Sequence, residues 1–233
     1  MARLARIAVV DVPHHVTQRG NARQFVLAED RERATYLELL RHSVRLHDLA
    51  LLGYCLMSNH VHLILIPRRA ESLARALKHA HGRYASYWNA AHQSTGHAWQ
   101  GRFYSCPLDD AHLWVALRYA ELHPVRTGLV ASAESWAWSS AAAHCGAAPP
   151  DAALDTRLWA TRWSSLSWRE YLACGEEDAE LRAIRKCTHT GRPLGSREFV
   201  RALEQATSRH LEPQKGGRPR NGSPHQDQKE LPF

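Results

Sequence analysis

Cysteine is scarce and scattered in this 233-residue chain. The five, Cys55, Cys106, Cys145, Cys174 and Cys187, are odd in number, far apart and form no Cys-x-x-Cys pair. That argues against a disulfide framework and a standard zinc module, and it fits a reducing compartment. Long apolar runs are missing as well. The stretch from Ile7 to Val10 ends at Asp11, too short for a signal-peptide core or a membrane span, and no other segment is long enough to cross a bilayer. No internal repeat is visible. Negative charge is the minority, with 23 Asp and Glu against 30 Lys and Arg for a formal net charge of +7. Such a balance points to a polyanionic partner, nucleic acid being the commonest, although charge alone equally describes a merely basic soluble protein.

The apolar fraction of 44% is ordinary for a globular chain, and the length allows one or two domains with a real core. Hydrophobic periodicity orders the elements. His14 to Arg19 reads as a strand stopped by Gly20-Asn21. A helix follows from Glu29-Asp30 to about His47, with Tyr36, Leu37, Leu40, Val44 and Leu46 in its apolar stripe. Leu49 to Met57 is a second strand, Ser58-Asn59 a turn, and His60 to Ile66 a third strand ended by Pro67. Ser72 caps a basic helix from about Leu73 to Ala91. Trp99 to Pro107 is a fourth strand, and Asp109-Asp110 lead a helix from about Ala111 to Leu122. This order predicts an α+β fold, a ferredoxin-like sandwich in which one antiparallel sheet carries helices on one face.

After Ala147-Ala148-Pro149-Pro150 the character changes. Residues 149–212 read as a helical C-terminal extension, with short helices around Trp159, Trp163, Trp168 and Tyr171, another from Glu176, and one from Ser196 to about His210. Residues 213–233 are rich in Gly, Pro and basic residues and read as a disordered basic tail. Its Gly217 to Arg220 is similar to an AT-hook core, which would send Arg218 and Arg220 into an A·T-rich minor groove; an unstructured basic tail fits as well. The predicted catalytic unit is then residues 1–148.

Two segments carry chemistry. In the third strand His60 and His62 point to one face, and each can offer a neutral ring nitrogen to a divalent cation. Taken alone, His-x-His more often marks half-exposed histidines at a strand end. The second segment is Arg118-Tyr119-Ala120-Glu121-Leu122-His123. On a helix, Tyr119 and His123 share a face, one turn apart. If that face lies over the His60 strand, His123 completes a three-imidazole site with Tyr119 beside it. A phenol with a pKa of about 10 is a poor nucleophile at neutral pH, but a bound cation polarises a scissile phosphate and stabilises the charge that develops. Tyr119 could then form a phosphotyrosine link. On an amphipathic helix the same tyrosine could instead be a core residue. Neither Tyr84 nor Tyr104 has a ligand-capable residue four positions on.

Met57-Ser58-Asn59-His60-Val61-His62-Leu63-Ile64 resembles the His-hydrophobic-His strand of HUH nucleases. The stretches His14 to Asn21, Gly96 to Phe103, Arg118 to Val130 and Trp138-Ser139-Ser140 match, in order, the insertion-sequence transposases with a single catalytic tyrosine, in the branch called REP-associated tyrosine transposases. The resemblance implies Tyr119 as nucleophile, Mg²⁺ or Mn²⁺ held by His60 and His62, and cleavage of single-stranded DNA beside a palindromic hairpin to a 5′-phosphotyrosine and a free 3′-OH. It also implies a monomer, whereas related insertion-sequence enzymes exchange the tyrosine helix in dimers, and a cytoplasmic, nucleoid-associated setting. The family usually has Asn where this chain has His123, the expected third ligand. A third imidazole suits Mn²⁺, Co²⁺ or Zn²⁺ better than Mg²⁺. Arg19, Lys78, Arg83, Arg102, Arg118 and Arg126 lie in or beside the matching segments and are expected at DNA phosphates. Two other readings compete: a hairpin-binding protein with a weak or vestigial site, and a metal-dependent hydrolase of small phosphate esters.

Overall fold

Every residue of the strand His60–Pro67 (β3) is buried, so both of its faces must be covered. In the computed structural model, which describes residues 6–212, β3 lies between Leu49–Leu56 (β2) and His14–Arg19 (β1). β1 pairs on its other side with Tyr104–Pro107 (β4), giving one antiparallel sheet in the order β2-β3-β1-β4. The expected α+β sandwich is therefore present. Arg218 and Arg220 and the rest of the basic tail lie outside the described residues.

One face of the sheet takes the helices Asp30–Leu46 (α1) and Ser72–Ala91 (α2). Val61, Leu63 and Leu65 of β3 and Val16 of β1 join Tyr36, Leu37, Leu40 and Val44 of α1 and Leu73, Leu77 and Tyr84 of α2 in one core, whereas Leu46, at the last position of α1, is exposed and not part of the stripe. Each such aliphatic side chain contributes about 1.5–3 kcal/mol by leaving water. The pattern anticipated helices on this face only. The other face is covered too, because Ile64 and Ile66 would otherwise stand in solvent. Its cover is the helix Asp110–Glu121 (α3), followed by His123–Arg126 (α4), Ala141–His144 (α5), Arg157–Ala160 (α6), Ser165–Ala173 (α7) and Asp178–Thr190 (α8), while Arg197–Thr207 (α9) packs its Leu203 with Ile7 and Leu211 in a separate small cluster. Leu113 and Leu117 of α3, Trp159, Trp168, Leu172 and Ile184 pack with Ile64, Ile66 and Leu52.

A β-bulge seats α3. The pairing shifts between Leu51 and Gly53, so Leu52 and Gly53 both turn toward α3 and the alternation of β2 reverses beyond them. A Cβ on Gly53 would stand 2.2 Å from Leu117 Cδ1. Only glycine lets the tyrosine-bearing helix come this close. At the far end of α3 the fully buried Glu121 accepts from Ser140 Oγ at 2.5 Å, His144 Nδ1 at 2.6 Å and Trp168 Nε1 at 2.8 Å. These bonds tie α3 to α5 and α7.

The fourth strand begins at Tyr104, not at Trp99. Trp99 instead bridges Gly20 and donates its indole N–H to the His81 carbonyl at 2.8 Å, and Gly101 takes a left-handed turn at φ 66° before β4 starts.

Candidate nuclease site

Strand register builds the site. β1 pairs with β3 so that Thr17 stands opposite His62 and Arg19 opposite His60. Side chains at 15, 17 and 19 therefore share a face with those at 60 and 62. The end of α3 lies over that face and brings Tyr119; α4 begins with His123. His15, His60, His62, Tyr119, His123 and Thr188 line one cleft of about 330 Å³.

The three imidazoles of His60, His62 and His123 converge, with one candidate ligand atom from each lying within 4.8 Å of the others. His60 Nε2 is 3.1 Å from His62 Nε2. Two nitrogens bound about 2.1 Å from one ion are separated by roughly 3.0–3.4 Å, so this pair fits a shared divalent ion. Asn59 Oδ1 accepts from His60 Nδ1 at 2.6 Å, which fixes the tautomer with a lone pair on Nε2. Burial, reinforced for His60 by the nearby His123, Arg19 and Arg126, pushes His60 down to about 3. Burial and the neighbouring imidazoles hold His62 well below the usual range. Burial and the arginines Arg126, Arg185 and Arg19 lower His123 to about 3. At neutral pH all three are neutral imidazoles, each with one ring nitrogen free of a proton, as ligation requires.

His123 differs from the other two. Arg126 Nη2 lies 3.0 Å from His123 Nδ1, and a guanidinium can only donate. Nδ1 therefore accepts, and the ring proton sits on Nε2. To ligate an ion, His123 must give up the bond to Arg126 or lose that proton.

Tyr119 is 5% exposed. Its ring centroid is 5.5 Å from that of His62, 5.7 Å from His15 and 6.2 Å from His123, all edge-on. Arg126 places its guanidinium carbon 4.3 Å from the Tyr119 ring centre, donates to the Tyr119 carbonyl at 2.9 Å and pairs with Glu176.

The basic residues separate into groups. Arg19 is exposed at the cleft, as are Arg23 and Arg185. Lys78 and Arg102 line a different hollow, beside Phe103 and His97, and Arg83 is exposed on α2. Arg118 and Arg126, expected at phosphates, are turned inward instead. Arg118 is buried, pairs with Glu180 and lies 4.2 Å from the Tyr171 ring centre. Arg126 is held by Glu176, Tyr119 and His123. Each faces the α7–α8 region, whose carboxylates balance a charge that could not be buried alone.

Local pattern assigns no role to His15, Arg185 or Thr188. His15 Nε2 lies 2.9 Å from His62 Nδ1, and His15 Nδ1 lies 2.8 Å from Thr188 Oγ1. His189 stacks on Tyr104 at 5.3 Å, so Tyr104 also reaches the cleft. His15 stands in a motif that could have flagged it. Thr188, 173 positions further on, has no local signal.

Comparison with known proteins points the same way. A family model for IS200-like transposases matches residues 8–123. The solved structure of a REP-associated tyrosine transposase bound to a REP hairpin aligns with a TM-score of 0.51 and 16% identity, over 60% of this chain and 82% of that one; the likeness is one of fold. A structure assigned as a transposase from Deinococcus radiodurans R1 aligns with a TM-score of 0.37 and 18% identity, over 55% of this chain and 98% of that one. No curated protein matches. The fold is that of a transposase. Through residues 8–123 the chain belongs to the IS200-like transposase family. Among the described residues no helix is long and apolar enough to cross a membrane.

Proposed function

We propose that the protein is a metal-dependent endonuclease and strand transferase that cuts single-stranded DNA beside a palindromic hairpin. The observation that carries this reading is the placement of Tyr119 against the His60–His62–His123 cluster in one cleft. His60 and His62 would hold Mg²⁺ or Mn²⁺, with His123 as third ligand once Arg126 lets it go. When bound, the ion polarises the scissile phosphate and offsets the charge that builds there.

The protein's own residues supply the rest. Tyr119 Oη attacks phosphorus, and its proton passes to solvent. The P–O3′ bond breaks, and the 3′ oxygen leaves and takes up a proton. The product is a 5′-phosphotyrosine and a free 3′-OH, and the covalent link keeps the bond energy for rejoining. Arg19, Arg23 and Arg185 stand where a strand entering the cleft would present phosphates, which makes binding salt-dependent. Tyr119 meets histidines of its own chain, which supports a monomer with all the parts in cis. In this reading residues 1–148 carry the chemistry, residues 149–212 cover and complete the site, and the tail from 213, with Arg218 and Arg220, adds affinity for DNA.

A second reading, a hairpin-binding protein with weak catalysis, is favoured by one observation: Arg126 occupies His123 Nδ1. The experiment that separates the two uses labelled single-stranded hairpin DNA from the repeats flanking the gene, with Mg²⁺, Mn²⁺ or EDTA. A metal-dependent, SDS-resistant protein–DNA band supports the nuclease. A native complex without any covalent band under either metal supports the binder.

A further inference from the structure

The donors and acceptors around His62 form a single chain. Thr188 Oγ1 meets His15 Nδ1 at 2.8 Å, His15 Nε2 meets His62 Nδ1 at 2.9 Å, His62 Nε2 meets His60 Nε2 at 3.1 Å, and His60 Nδ1 meets Asn59 Oδ1 at 2.6 Å. The His15 and His62 rings are parallel within 2°, with centroids 5.2 Å apart. That is the separation of two coplanar imidazoles meeting nitrogen to nitrogen, so the contact is an in-plane hydrogen bond and not a stack. Thr188 is 6% exposed and His15 1%, so water cannot easily replace either.

Each neutral imidazole carries one proton, so fixing one end fixes the chain. Asn59 Oδ1 only accepts, so His60 Nε2 bears a lone pair. Without an ion, His62 Nε2–H donates to it. His62 Nδ1 then accepts from His15 Nε2–H, and His15 Nδ1 accepts from the Thr188 hydroxyl. For His62 Nε2 to bind a cation, the order must reverse. The proton of His62 moves to Nδ1 and donates to His15 Nε2. The proton of His15 moves to Nδ1 and donates to Thr188 Oγ1, whose hydroxyl rotates to accept. All rings stay neutral, and no proton is gained or lost overall. A hydroxyl can serve both orders because it both donates and accepts.

The geometry points to Thr188 and His15 as positioning residues for the metal site, with Thr188 of α8, outside the stretch shared with the transposase family, able to accept the His15 proton so that Nε2 of His62 is freed for the ion without leaving a buried N–H unpaired. This rests on the proposed metal-binding role of His60 and His62. Partners beyond the first ligands commonly change metal affinity by about 10–100-fold.

The test uses the full-length chain and Mn²⁺, with free Mn²⁺ read by electron paramagnetic resonance, for wild type, Thr188→Val, Thr188→Ser and His60→Ala. Histidine ¹⁵N spectra without metal and with Mg²⁺ report the tautomers directly. The expected result is a Kd for Mn²⁺ weakened about 10-fold or more in Thr188→Val and restored in Thr188→Ser. His15 and His62 should pass from Nε2–H to Nδ1–H on loading wild type. A site that depends on His60 but keeps wild-type affinity in Thr188→Val, or tautomers that do not change, overturns the relay alone. A wild-type protein that binds no Mn²⁺ overturns the relay and the metal reading together, whereas the relay's failure leaves the covalent-adduct test of the nuclease untouched.

Discussion

Arg126 donates to Nδ1 of His123 at 3.0 Å while its guanidinium lies against the Tyr119 ring. The residue that would complete the metal site and the residue proposed to attack phosphorus thus share one cation. His123→Asn replaces the engaged imidazole with an amide whose oxygen is a harder donor. Mg²⁺ binding should tighten relative to Mn²⁺, by roughly tenfold, an order typical of changes around a metal site. Paired calorimetric titrations with the two ions read this ratio, and an unchanged ratio would remove His123 from the ligand set.

Gly53 sets how closely α3 approaches the sheet. In Gly53→Ala the new methyl would collide with Leu117, at a cost of about 1–3 kcal/mol of the kind measured for overpacked cores. Covalent-adduct formation should fall, because Tyr119 rides on the displaced helix. Adding Leu117→Ala should recover part of the adduct yield even though it opens the core. A double variant no better than Gly53→Ala would show that the close approach is not what positions Tyr119.

Buried histidines away from the cluster set a pH dependence. Burial lowers His14 to about 4 and His81 to about 3. Both lie below the unfolded value of about 6.5, so between those limits protons bind only to the unfolded chain. Stability is fully present above about pH 6.5 and is lost as pH falls toward the folded values, by about 1.4 kcal/mol per pH unit for each group. Urea unfolding at pH 7, 6 and 5 should show this decline, and His81→Gln, which cannot take up the proton, should flatten it. Equal slopes for the two proteins would count against the assignment.

Trp168→Phe keeps an aromatic side chain, smaller than the fully buried indole, and removes one donor from the buried Glu121 carboxylate, which also holds Ser140 and His144. Losing a hydrogen bond to a buried charge costs about 1.5–3 kcal/mol. The urea midpoint should drop accordingly with an unchanged m-value. A midpoint within error of wild type would mean that the indole bond does not help hold α7 to α3.

Much of the site is legible from local pattern. Strand alternation puts His60 and His62 on one face, and helical spacing puts His123 one turn after Tyr119. Both are short-range properties of the chain, and the structure realises them. What the pattern hides is long-range. Arg118 and Arg126 look like DNA contacts until their partners appear, Glu180 and Glu176, which lie 62 and 50 residues further on. The second covered face depends on Trp159, Trp168 and Ile184 docking onto Ile64 and Leu52, and no period within residues 149–212 states where those side chains land. Trp99 reads as strand because it is itself a β-forming aromatic just ahead of Phe103-Tyr104, yet its indole N–H finds its acceptor on α2 and the backbone turns at Gly101.

The measurement that tests the central claim most directly is a peptide map of the covalent adduct. Wild-type protein is reacted with hairpin single-stranded DNA and Mn²⁺, the DNA is digested, and the phosphonucleotide-bearing peptide is sequenced by mass spectrometry. The account predicts one modified residue, Tyr119, with adduct lost in Tyr119→Phe and retained in Tyr104→Phe. Modification at Tyr104, the other tyrosine in the cleft, or an adduct that survives Tyr119→Phe, would contradict it.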